Sequence, residues 1–153
     1  MVAHADQEAK PLATAVELKE RLAVALGEKA SEAARARAAA EAEKKMLIER
    51  LTEPSGVSDD EATRRVATIV NRAVANGRRE VQVYRFPNQL CTDRGRAITQ
   101  TEPGWERTLT GVPKEIFDFW NRALRPLGYT IRFEIADWPG GMPGDVIVTL
   151  RWA

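Results

Sequence analysis

The chain has 153 residues, 44% of them hydrophobic, and a formal net charge of +1. That is enough for one small domain with an appendage, and the charge by itself forces no partner. A single cysteine, Cys91, and a single histidine, His4 in a polar N-terminal stretch, exclude an intrachain disulfide. They also exclude a Ser-His-Asp or Cys-His centre and a Cys/His zinc site built within one chain.

Residues 1–10 are polar and read as a flexible tail without the apolar segment of a secretory signal. No run of about eighteen apolar residues is present, so no spanning helix and no membrane partner are expected. The expected setting is cytoplasmic.

Residues 11–53 read as one long helix. Pro11 suits a first helical position, and Leu12 to Thr52 is rich in Ala, Glu, Lys and Arg. Such a helix would span roughly 60 Å. Its large apolar residues gather at the two ends: Leu18, Leu22 and Leu26, then Leu47 and Leu51. The Ala-rich middle makes a poor continuous coiled-coil seam. Two readings compete, a solvated helix and a helix that docks on a second copy or another helix. Because long helices draw most of their stability from packing, association is the preferred reading. The expected assembly is therefore a homo-oligomer or a partner helix held through residues 12–52.

Residues 54–57 form a linker, and residues 58–153 a small domain. Ser58-Asp59-Asp60-Glu61 has the form of a capping box, and Ala62, Val66, Ile69, Val70 and Ala73 then recur at helical spacing. Asn76-Gly77 is a stop signal. Glu80 to Phe86 reads as a strand with Val81 and Val83 on one face and Tyr84 and Phe86 on the other. Apolar groups on both faces predict a central strand covered twice.

Asn88 to Gly111 is too long for a structureless loop in a compact domain. A short helix or turn is expected around residues 89–97 and an extended piece at 97–100, with Trp105 and Leu109 pinning the segment to the core. Val112 to Arg125 has the apolar stripe of a globular helix, with Pro113 in its first turn. Tyr129 to Trp152 alternates with period two on both sides of a Gly/Pro-rich loop and predicts a hairpin. The expected class is α+β: helix, strand, loop, helix, strand, strand, a sheet of about three strands with helices on one face.

Four features bear on function. Between Ala62 and Thr101 eight arginines face only Glu80 and Asp93, a net +6. Arg65, Arg72, Arg78, Arg79, Arg94 and Arg96 are the candidates for a phosphate-reading surface, which makes nucleic acid a possible partner. The Asp137–Asp145 loop offers Trp138 and Met142 as apolar anchors for a partner. Its Gly141-Met-Pro-Gly144 resembles the clamp of KH domains in spelling alone, since that clamp joins two helices and this loop joins two strands. Cys91 reads as a buried structural thiol. Asp93, Asp137 and Asp145 could form an acid/base or metal cluster only if the fold gathers them. No catalytic, cofactor-binding or metal-binding residue is therefore assigned. The leading expectation is a non-enzymatic interaction module acting through the long helix, with nucleic-acid binding as the alternative.

Overall fold

The computed structural model describes residues 11–153. The expectations for residues 1–10, including His4, lie outside the described residues. The described chain divides after Glu43 into two compact units.

Helix α1, Ala15–Thr52, runs through the division. It begins at Ala15 rather than at Leu12, for a local reason. The Glu17 N–H donates to Thr14 Oγ1 at 3.2 Å, and the Thr14 N–H donates to the Glu17 carboxylate at 3.3 Å. This reciprocal capping box satisfies two otherwise orphaned donors. Pro11 thus precedes the helix instead of opening it. The last turns of α1 belong to the second unit, where Leu47, Ile48 and Leu51 pack into the core.

In the second unit helix α2 spans Asp59–Ala75. Ser58 caps it, accepting from the Glu61 N–H at 3.2 Å. The Glu61 side chain turns outward to Arg65, so only half of the expected box forms. Strand β1 is Glu80–Phe86, helix α3 is Arg96–Thr99 and helix α4 is Gly111–Phe119. A π-helical turn at Trp120–Leu124 extends α4. Strands β2, Thr130–Ile135, and β3, Val146–Arg151, form the hairpin. The α+β class stands: two long helical segments and a three-stranded antiparallel sheet.

The sheet order is β1-β3-β2, so β3 is central. The expectation that β1 is central and covered twice is wrong, and a bulge explains why. Register shifts between Gln82 and Tyr84, with Val81 opposite Leu150, Tyr84 opposite Val148 and Phe86 opposite Val146. Directly opposed residues share a face. The extra residue therefore brings Val81, Tyr84 and Phe86 onto one face although they break strict alternation. β1 is an edge strand with a single apolar face.

That face meets Ile131, Phe133 and Ile135 of β2 and the buried Val146, Val148 and Leu150 of β3. Leu51 of α1 and Ile116 and Phe117 of α4 cover it together with Leu90, Ile98 and Leu109. Burying each such side chain is worth about 1.5–3 kcal/mol relative to exposure. The segment between β1 and α4 is ordered throughout. Cys91 bridges to Leu109, and Trp105 packs against Phe133 with ring centroids 5.0 Å apart. Trp105 and Leu109 pin it as expected, but residues 97–99 are helical, with Gln100 as the C-cap, rather than extended. The Asp93 carboxylate, accepting from the Gly95 and Ala97 N–H groups, anchors that turn.

Candidate functional site

The exposed part of α1 is the first candidate surface. Leu18, Leu22 and Leu26 lie one turn apart on one face and are 47%, 57% and 57% exposed. Ala33, Ala36 and Ala40 continue the same face at helical spacing. Leu47 and Leu51 do not join them as a partner-facing set, because they are core residues of the second unit.

Two of the six candidate arginines are engaged by acids. Arg65 is paired with Glu61 and Arg96 with Glu102, both at 2.7 Å. Arg94 sits at a left-handed turn, and the Arg79 carbonyl accepts from the Trp152 N–H at the end of the sheet. Arg72 and Arg78 come together. They line an open groove of ≈ 540 Å³ between α2 and the sheet, shared with Asn76, Gln82 and Glu80. Neither has an ion-pair partner among the described residues.

The polar face of the sheet carries a lattice of charge that the linear sequence does not display. Glu80 on β1 accepts from Arg132 on β2 at 2.8 Å and from Arg151 on β3 at 2.9 Å. The Glu80–Arg132 bond crosses the central strand, whose Thr149 is only 4% exposed. Arg132 also reaches Glu134 at 3.3 Å. The Arg132 hydrogen bond holds the Glu80 carboxyl below its ordinary range, with Arg151 adding to it, and raises Arg132 in return. The alternation of acid and base was legible at these positions. Which acid meets which base required the strand order.

The hairpin loop is built around Asp137. The Gly144 N–H donates to its carbonyl at 2.8 Å, and the Asp145 N–H donates to its carboxylate at 3.2 Å. Arg85 ties down both acids, Asp145 at 2.9 Å and Asp137 at 3.8 Å. Asn88 Nδ2 donates to the carbonyls of Pro143 and Gly144. Trp138 and Met142 remain exposed at the loop surface. Asp137 and Asp145 are thus held by a guanidinium, while Asp93 caps backbone N–H groups elsewhere. No group of three metal-ligating side chains converges among the described residues.

Cys91 is buried, and burial together with the Asp93 charge pushes its thiol up to about 11. It is a neutral thiol at physiological pH. No helix among the described residues is long and apolar enough to cross a membrane. Comparison with protein-family models, curated proteins and solved structures finds no match to this chain.

Proposed function

We propose that the protein is an interaction module whose long helix α1 pairs with the same helix of a second copy. One observation carries this reading: Leu18, Leu22 and Leu26 form an apolar row with no cover among the described residues of their unit. A water-exposed leucine row on a long helix gains about 25 cal/mol for each Å² it buries against a partner. The three carboxylates that could have supported catalysis are engaged in caps and ion pairs, which favours a binding role. Light scattering of the full chain tests the reading. Replacing Leu18, Leu22 and Leu26 together by Gln keeps helix propensity and removes the apolar row. The average mass should fall, and an unchanged mass would refute the helix contact.

A second reading, nucleic-acid binding, is supported by the meeting of Arg72 and Arg78 in one groove. It is weakened by the engagement of Arg65 and Arg96 with acids. Anisotropy of labelled random RNA and DNA at rising salt discriminates, because phosphate contacts release counterions and give a steep salt slope. Binding that survives Arg72→Ala with Arg78→Ala would remove this groove from the reading.

A further inference from the structure

We propose that the free edge of β2 pairs with β2 of a second copy, antiparallel about Phe133, joining two sheets into one of six strands. This contact is separate from the α1 contact and does not depend on it.

β2 bonds to β3 alone, so its outer edge is open. The Ala136 N–H donates to the Asp145 carbonyl at 2.7 Å and sets the phase of the ladder. With the register Thr130–Arg151, Arg132–Thr149 and Glu134–Ile147, these even-numbered residues make the bonds to β3. The N–H and C=O groups of Ile131, Phe133 and Ile135 therefore point to the free edge. None of them bonds to another element among the described residues. A groove of ≈ 420 Å³ runs along this edge, walled by Ile98, Trp105 and Trp138. β2 carries no proline and no bulge, two of the usual protections of an edge.

The choice of a second copy over a foreign strand rests on charge complementarity. Residues 131–135 read Ile-Arg-Phe-Glu-Ile. About a twofold axis at Phe133, Ile131 opposes Ile135 of the other copy, Arg132 opposes Glu134, and Phe133 opposes itself. All three outward-pointing pairs can exchange both backbone bonds. The apolar residues stay on the core face and the charges on the polar face, as a twofold axis perpendicular to the sheet requires. Sliding by two residues sets Arg132 against Arg132 or Glu134 against Glu134. Sliding by one residue sets core-facing side chains against charged ones. Of these registers, the one centred on Phe133 alone satisfies charge, face and backbone together. Arg132 and Glu134 form non-hydrogen-bonded cross-strand pairs there, in which side chains approach most closely.

The test uses the full chain carrying Leu18→Gln, Leu22→Gln and Leu26→Gln, so that any helix contact is absent. Sedimentation should show a dimer. Glu134→Arg added to this chain leaves the Arg132–Glu80 bond intact but opposes like charges twice across the axis. It should weaken dimerisation by about tenfold or more. Arg132→Glu should weaken it likewise. An equimolar mixture of the two variants opposes Glu with Arg at both pairs, and native mass spectrometry should find heterodimers. That rescue also shows that both variants are folded. A monomeric parent chain, a Glu134→Arg chain that dimerises as well as its parent, or a mixture without heterodimers would each overturn the proposal. So would a monomer that instead captures an extended synthetic peptide along β2, which would assign the edge to a foreign strand.

Discussion

Glu80 lies on the polar sheet face between two guanidinium groups, and its carboxyl is held below the ordinary value of 4.5 by Arg132 first and Arg151 second. A carboxyl depressed in the folded state stabilises the fold above its unfolded pKa. That contribution falls away as pH drops below 4.5 through the depressed folded value. Asp59, lowered by its bond to Arg122, acts in the same sense from 3.8 downward. Glu80→Gln should therefore lower the urea midpoint at neutral pH, and the gap to the unmodified protein should close below pH 4.5. A gap that stays constant across the acid range would show that the ion pairs contribute nothing through titration. The magnitude is small, since all three partners face solvent.

Helix α4 starts where it does because two backbones touch. Gly111 has φ +56°, and a Cβ there would collide with the Leu51 carbonyl at the end of α1. Glycine is the residue that tolerates both the left-handed conformation and the approach. Gly111→Ala should destabilise the protein by about 1–3 kcal/mol, read as a lower urea midpoint with an unchanged slope. An unchanged midpoint would mean that the α1 terminus yields at no cost. The bulge in β1 is a second element-scale device. One extra residue near Val83 turns what reads as a two-faced strand into an edge strand with a single apolar face.

The two proposed self-contacts, taken together, have a consequence for the whole molecule. An isologous pairing through α1 and another through β2 together allow assemblies larger than a dimer. Light scattering of four full-length chains separates them. The unmodified chain should exceed a dimer. The triple Leu→Gln chain should be a dimer held by β2, and Glu134→Arg alone should leave a dimer held by α1. The combination should be a 17.0 kDa monomer. A combination that remains assembled would point to a third surface and refute the pair of contacts as a complete description. Charge behaves differently at this scale from its linear appearance. The +6 window does not become a +6 surface, because Arg65, Arg85 and Arg96 each meet an acid from outside the window.

The type and order of the long helices and the three strands were determined by the sequence alone, whereas the short helix at Arg96–Thr99 was not. Ser58 and Asn76-Gly77 bound α2 as expected, β1 occupies Glu80–Phe86 as expected, and alternation placed β2 and β3. These signals are local: a cap or a period needs only its near neighbours along the chain. The Thr14–Glu17 box is equally local, spelled Thr-x-x-Glu, and it rather than Pro11 sets the helix start. The tertiary structure decided the rest. It made β3 central, moved Leu47 and Leu51 from a partner face into the core, and set Glu80 between Arg132 and Arg151. It also left β2 with an open edge. Each of these is a pairing between residues far apart in sequence, and loop-closure entropy changes too slowly with length to select one distant partner over another. The choice falls to register and packing across the assembled sheet, which exist only once the chain has folded.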